Sequence, residues 1–359
     1  MRGSPRRWWC SAAWLLLAWM AFSGVRADNL PRKAGSQGES YPGVRVAYDF
    51  VRDDTGRRLR LILTHPEASR TRFATIFVVG WLSCDSVEAP RGTTDATQLL
   101  FRSLAQLPGF ATVRMDKAGV GDSEGDCAAT DFLSELEAYR RAFRTLASRP
   151  FVDMRQVFLF GISNGGGFAP LVPEGVPVRG YVIDGGWLKT WYEHMLEIER
   201  RRLVLEGHPD AEINTLMTSV ARLYASYLLE RQPPQQIFAV HPAWRALWQG
   251  DAAHQYGRPV AYYQQLQDLN LMAAWSAVKV PALILHGEFD WIMSRSDLET
   301  MAALVNRNTP GAAEFVELPA TGHSFDHYGS LHAAFAGEHL PFDPLIAQRI
   351  GAWLERQRQ

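Results

Sequence analysis

Residues 156–170 read QVFLFGISNGGGFAP. A run of mostly large apolar residues leads almost straight into a serine, and glycines stand two positions before and two after it. Few folds have a use for such a stretch. A short, continuous apolar run suits a strand buried on both faces, as in the middle of a parallel sheet. Glycine at 161 and 165 removes the Cβ atoms that would collide where a turn packs closely on its neighbours. The pentapeptide Gly161-Ile162-Ser163-Asn164-Gly165 matches G-x-S-x-G, a strand–turn–helix junction that exposes a serine hydroxyl on a strained turn. Gly and Ser are also the ordinary residues of turns, so Ser163 alone is compatible with a plain loop. The rest of the chain decides, by supplying or lacking a base, an acid and donors for an oxyanion.

The flanking sequence builds the sheet this strand needs. VRVAYDFV and RRLRLILTHP alternate around a turn-forming DDTG and predict an antiparallel hairpin. ATIFVVG, FATVRMD, QVFLFG and RGYVIDG read as strands. DATQLLFRSLAQL and TDFLSELEAYRRAFRTLAS read as amphipathic helices, the second with Thr130 as a candidate cap. Alternating strands and helices imply a mostly parallel sheet with helices on both faces, joined by right-handed crossovers. The pattern resumes at VPALILHG, SDLETMAALVNRN, AEFVELPA and DPLIAQRIGAWLERQ. Between the halves, residues 186–276 carry helical periodicity and almost no strand signal, which predicts a helical lid inserted over the carboxyl edge of the sheet. The expected core therefore comprises residues 45–185 and 277–359.

In open α/β sheets, catalytic groups sit beyond the carboxyl ends of strands. Asp290 falls just past VPALILHG, with Glu288 as its competitor, and His323 lies in the loop after AEFVELPA. Serine, aspartate and histidine thus follow three different strands in the order Ser163, Asp290, His323. A serine hydroxyl is a weak nucleophile until an imidazole takes its proton, and the imidazolium then needs a carboxylate partner. One oxyanion donor is expected at the backbone of Asn164, and the other in the loop after ATIFVVG, at Trp81 or Leu82.

The first residues differ in character. Arg2, Arg6 and Arg7 precede a long apolar run that ends in Val25-Arg26-Ala27. A basic start, an apolar stretch and small residues at the cleavage positions predict a signal peptide over 1–27, with an uncleaved membrane anchor as the alternative. A polar, Gly/Pro/Ser-rich lead-in over 28–44 follows. Removal of the signal leaves Cys84 and Cys127, and an oxidising destination favours pairing them. The formal net charge of −1 gives no electrostatic case for nucleic acid or an anionic membrane as partner.

With GISNG, HGEFD, TGH and Asp116-Lys117-Ala118-Gly119-Val120-Gly121-Asp122-Ser123 in place, the chain resembles the α/β-hydrolase superfamily over about residues 45–355. It looks most like secreted esterases and serine aminopeptidase-like hydrolases. Two departures stand out: Val79-Gly80 replaces the family's histidine-glycine at the oxyanion loop, and Ala118 replaces the arginine of the D-x-R-G turn. The resemblance implies a sheet order that brings Cys84 and Cys127 into nearby loops at the active face, where a bridge would close a loop of about 43 residues. It implies a small-molecule acyl substrate and no cofactor; a carboxylic ester comes before a peptide because an ester needs no help in protonating an amine leaving group, and a non-catalytic binding protein on the same fold is the further alternative, against which the intact triad argues. His323 and His327 have a spacing that can hold zinc on a helix, but no further ligand matches it, so His323 is assigned as base and no metal is expected. Glu193, Glu197 and Glu199 read as a solvated helix face paired with the following arginines, with capture of a substrate amine as the alternative. The tryptophans at 187, 191, 244, 248, 275 and 291 read as lid core, some of them lining an acyl pocket.

Overall fold

The computed structural model describes residues 38–68 and 72–358. The expected signal peptide and most of the lead-in lie outside the described residues. The chain opens with β1 (Val44–Arg52) and β2 (Arg58–Pro66), the expected antiparallel hairpin. There follow β3 (Phe73–Val79), α1 (Ala96–Ala105), β4 (Phe110–Met115), α2 (Phe132–Thr145), β5 (Val152–Ile162), α3 (Asn164–Phe168) and β6 (Gly180–Asp184). The eight-stranded sheet has the order β1-β2-β4-β3-β5-β6-β9-β10, in which β9 is Ala282–Gly287 and β10 is Ala313–Leu318. Only β2 runs antiparallel to its neighbours; the pairs from β4 to β10 are parallel.

Strand alternation divides the core into two layers. Ile76, Val78, Phe158 and Phe160 face α1 and the final helix, through Leu100, Leu104, Ile350 and Trp353. Phe77, Val79 and Leu159 face α2 and α9 (Arg295–Asn308), through Leu136, Phe143, Leu298 and Met301. The register aligns the strand ends that matter: Gly161 pairs with Val79, Ile162 with Asp184, and Leu318 with Gly287. The carboxyl ends of five parallel strands therefore meet along one edge of the sheet.

Between β6 and β9 the chain forms α4 (Trp191–Leu205), α5 (Asp210–Tyr224), α6 (Pro234–Val240), α7 (Val260–Gln267) and α8 (Leu271–Ser276). A two-residue ladder, β7 (His254–Gln255) with β8 (Arg258–Pro259), interrupts them. Two more helices, α10 (Leu331–Ala336) and α11 (Leu345–Arg358), complete the chain. Trp187, Trp191, Trp248 and Trp275 are buried here, with Tyr224, Tyr227, Tyr262 and Tyr263.

Three expectations need correction. Thr130 does not cap α2; Asp131 does, its carboxylate accepting from the Ser134 amide, while the Thr130 hydroxyl donates to the Asp126 carbonyl. A carboxylate one residue nearer the helix outcompetes the hydroxyl for the free first-turn amides. The loose lead-in does not extend to its last residues. Glu39 is buried and ion-paired with Arg114 at 2.6 Å, and it accepts from the Ala89 amide and the Tyr41 hydroxyl. Glu199 is not part of a solvated face: it is fully buried and paired with Arg202 at 2.7 Å.

Cys84 and Cys127 form a disulfide that spans 43 residues and ties the loop after β3 to the turn preceding α2. Closing a loop of that length in the unfolded chain contributes about 4 kcal/mol of stability in the chain-entropy account. Reduction is expected to lower the thermal midpoint of the purified protein, which differential scanning calorimetry with and without reductant measures. An unchanged midpoint after complete thiol titration contradicts this.

Candidate active site

Ser163 occupies the junction between β5 and α3 at φ 56° and ψ −123°, a conformation unusual for a residue with a side chain. Backbone bonds on both sides hold it there. Its amide donates to the Asp184 carbonyl at 2.8 Å, and its carbonyl accepts from the Gly166 amide at 2.9 Å. The flanking glycines are required by contact. A Cβ on Gly165 would lie 2.2 Å from the Val79 carbonyl oxygen and 2.4 Å from that of Gly80. One on Gly161 would lie 2.7 Å from the Gly165 carbonyl oxygen. The turn is thus wedged against the end of β3.

Three strand ends converge on the serine. His323 Nε2 lies 2.8 Å from Ser163 Oγ, and His323 Nδ1 lies 2.8 Å from Asp290 Oδ2. Asp290 Oδ1 accepts the amides of Ile292 and Met293, each at 2.9 Å. Burial alone raises the pKa of Asp290, but the His323 ring and the Met293 amide outweigh it and hold the carboxyl below its ordinary range. An ionised carboxylate only accepts, so His323 carries its proton on Nδ1 and turns the Nε2 lone pair to the serine hydroxyl. Glu288, the competing acid, bonds the Ala320 amide at 2.7 Å and braces the loop that carries His323.

Ser163 and His323 line a cavity of about 540 Å³. Trp81 and Leu82 form part of its wall, and so does Asn164. Asn164 is the first residue of α3, so its amide has no intrahelical acceptor. Its side chain is engaged on both ends: Trp187 Nε1 donates to its oxygen, and its amide nitrogen donates to the Tyr262 hydroxyl, each at 2.9 Å. The loop carrying Trp81 is fastened by Lys117, which donates to the carbonyls of Trp81 and Ser83, and by the Tyr139 hydroxyl, which accepts the Gly80 amide at 3.0 Å. Burial pushes the Lys117 ammonium down to about 8.

Asp116 and Asp122 close on Arg60 at 2.5 and 2.8 Å in a buried ionic cluster, so the turn from 116 to 123 acts as internal bracing. Among the tryptophans, Trp191 and Trp291 line the cavity with Trp81. None of the three glutamates does. Glu193 closes a capping box with Thr190, Glu197 pairs with Lys189, and Glu199 is held by Arg202. Two groups at the site escaped the sequence reading. Asp184, at the end of β6, is buried, and both burial and Asp290 raise its pKa well above the usual carboxylate range. His194, on α4, is buried in the cavity wall. Asp184 sits inside an apolar strand and His194 inside a helix that reads as lid core; neither has a local motif.

A sequence model described as the alpha/beta hydrolase family matches residues 75–338. No curated protein matches the chain by sequence. Among solved structures, the esterase Pf2001 of Pyrococcus furiosus aligns at 14% identity and a TM-score of 0.53, covering 94% of this chain and all of the other. Est1E of Butyrivibrio proteoclasticus, solved with ferulic acid bound, aligns at 15% identity and a TM-score of 0.56, covering 86% and 98%. GrgF, an alpha/beta hydrolase of Penicillium sp., aligns at 17% identity and a TM-score of 0.52, covering 88% and 99%.

Two outcomes follow from this geometry. Asp290→Asn is expected to lower kcat on the order of 10³–10⁴-fold, because the amide reverses the tautomer preference of His323. Glu288→Gln should change kcat by only a small factor, and steady-state kinetics of the two variants rank the acids. Gly165→Ala is expected to cost about 3 kcal/mol or more through overpacking. Gly329→Ala, where nothing lies within 4 Å of an added Cβ, is the control in chemical denaturation.

Proposed function

The chain belongs to the α/β-hydrolase family, and from that premise we propose that it is an exported serine hydrolase cleaving a carboxylic ester through an acyl-enzyme. The observation that carries the reading is the pair of 2.8 Å contacts from His323 to Ser163 and to Asp290, at the wall of a cavity of about 540 Å³. In this reading Ser163 Oγ attacks the acyl carbon while His323 Nε2 takes its proton. Asp290 stabilises the imidazolium through Nδ1–H. The tetrahedral oxyanion is met by the amides of Asn164 and of Trp81 or Leu82; removing one such donor typically costs about 3–4 kcal/mol of barrier. His323 then protonates the leaving alkoxide, and afterwards activates the water that releases the acid.

An ester is favoured over a peptide by the engagement of Glu193, Glu197 and Glu199 away from the cavity. Two carboxylates do line it, Asp85 and Asp95, and each has a partner: the Ser83 hydroxyl and the Gln98 amide. An aminopeptidase-like activity on the same triad is the second reading, and those two aspartates are the groups that would meet its substrate amine. The segment from 186 to 276 serves as the lid in either case, since Trp191, His194 and Tyr256 from it wall the cavity. Export is supported by the basic-then-apolar start of the sequence and by the Cys84–Cys127 bridge. No helix among the described residues is long and apolar enough to cross a membrane.

Ser163→Ala is expected to abolish covalent labelling by a fluorophosphonate and to remove nearly all turnover, with the circular dichroism spectrum unchanged. Labelling retained at another serine contradicts the assignment. A panel of esters beside aminoacyl amides then separates the two readings.

A further inference from the structure

The face of α4 that lines the cavity through His194 and Ile198 continues to Arg201, one helical turn further on. Arg201 does not line the cavity; its partly buried guanidinium crosses to the turn that follows β9. Nη2 donates to the Ile292 carbonyl at 2.8 Å, and Nη1 to the Met293 carbonyl at 3.3 Å. The amides of the same two residues donate to Asp290 Oδ1, each at 2.9 Å. The Ile292 carbonyl and the Met293 amide belong to one peptide group, and it is trans, since the described residues contain no cis peptide bond. In a trans peptide the C=O and N–H point in opposite directions. Arg201 and Asp290 therefore hold the two ends of a single peptide unit. From Asp290 Oδ2 the bonds continue through His323 to Ser163 Oγ, at 2.8 Å each. An unbroken chain of hydrogen bonds thus joins the inserted helix to the serine hydroxyl.

The chain acts on Asp290 in two ways. The planar guanidinium spans two successive carbonyls, which fixes the orientation of a turn that has no helix or strand bonds of its own. A charged donor on a carbonyl also polarises the peptide, and its N–H then becomes a stronger donor to the carboxylate. The Met293 amide is one of the groups that hold Asp290 below its ordinary range. The influence is mutual: burial is the largest effect on Arg201 and lowers its pKa, while Glu197, Asp290 and Asp297 act to raise it. Glu197 lies 4.0 Å from Arg201 on the same helix, and it shares Lys189 with Asp297 of α9. His194 is the titratable ring nearest on α4, and the Arg201 charge helps to lower it. Asp290 is faced by His323, by His286 on β9 and by Asp184 at the end of β6.

We propose that Arg201 is a positioning residue of the triad: from α4 it orients the turn over residues 290–293, and through the 292–293 peptide it fixes the carboxylate that faces His323. The inserted segment then completes the reacting centre as well as walling its cavity. This rests on the assignment of Ser163, His323 and Asp290, and it holds for an ester or a peptide substrate alike.

The test needs no substrate. The second-order rate constant for labelling of Ser163 by a fluorophosphonate is measured against pH; it reports activation of the hydroxyl by His323, and a misfolded fraction lowers the amplitude and not the rate. Arg201→Met is expected to slow labelling about tenfold at neutral pH. Loss of a cation beside the carboxylate favours the protonated imidazole, so the acid limb of the pH profile should move to higher pH by about half a unit. Arg201→Lys keeps the charge without the fork, so it is expected to slow labelling by about threefold and to leave the limb in place. Because Arg201 acts through Asp290, Arg201→Met should change the rate by less than about twofold in an Asp290→Asn background. A methionine variant that labels at the wild-type rate, or whose acid limb does not move, overturns the proposal, and so does an equal loss in the Asp290→Asn background. If the methionine variant does not fold, Arg201→Lys decides: a wild-type rate overturns the proposal, and a loss that disappears in the Asp290→Asn background supports it. Labelling that survives Ser163→Ala removes the triad assignment and the proposal together, whereas a labelled protein that turns over no ester leaves both standing.

Discussion

The packing of Gly165 against the carbonyls that end β3 is the constraint on which the site depends. It forces the backbone at Ser163 into a positive φ, which residues with side chains avoid at a cost of about 1–3 kcal/mol. The same contact sets Ser163 beside the loop of Gly80 and Trp81, so the turn and that loop are positioned by one another. The bonds from the Ser163 amide to Asp184 and from the Gly166 amide back to Ser163 keep the strain from relaxing. Strain alone would be a liability; held between two parallel neighbours in the middle of an eight-stranded sheet, it becomes a fixed presentation of one hydroxyl.

A buried ionic assembly joins this elbow to the helical segment above it. Glu135 on α2 takes the guanidinium of Arg258 and the hydroxyl of Tyr262, and Lys117 lies 3.9 Å away. Arg258 also reaches Cys127 Sγ at 2.9 Å, and its guanidinium lies 4.1 Å over the Tyr262 ring. Through Tyr262 the assembly touches the Asn164 side chain, and through Lys117 it touches the Trp81 carbonyl. Buried charges of this kind add little net stability, because desolvation offsets their attraction. Removing one partner, however, leaves the others uncompensated, at a cost of about 3–5 kcal/mol. Their effect is to fix one arrangement of the insertion over the sheet, and the disulfide, Asn164 and the Trp81 loop share that arrangement.

The parts legible in the sequence are those with a local rule. Ser163 announces itself by glycine spacing, Asp290 and His323 by standing just past apolar runs of strand length, and the β1–β2 hairpin by alternation around DDTG. The choice between Asp290 and Glu288 needed the fold, because both follow the same strand and only the turn geometry aims one at His323. Glu135 and Arg258 were illegible for a different reason: they meet across 123 residues, and nothing in the pattern of α2 or of the short β8 strand marks the pairing. Glu199 misled because a glutamate in a helix that also carries Arg200, Arg201 and Arg202 has the pattern of an exposed face, while α5 and the Tyr256 loop close over it. His194 stayed hidden because helical periodicity says which residues share a face, and not whether that face meets a core or a cavity.

Three buried titratable groups around Ser163 and His323 have their pKa values moved for reasons the fold supplies. Asp290 and Asp184 sit at neighbouring strand ends, both withdrawn from water. Asp290 has the His323 ring and two backbone amides to offset desolvation, and it stays ionised. Asp184 has burial and the Asp290 charge acting in the same direction, and its pKa is raised well above the usual carboxylate range. Environments that push two carboxyls apart in this way suit them to different roles, and Asp290 is the one turned to His323. His194, on α4 in the same cavity wall, is pushed down to about 3 by the same desolvation.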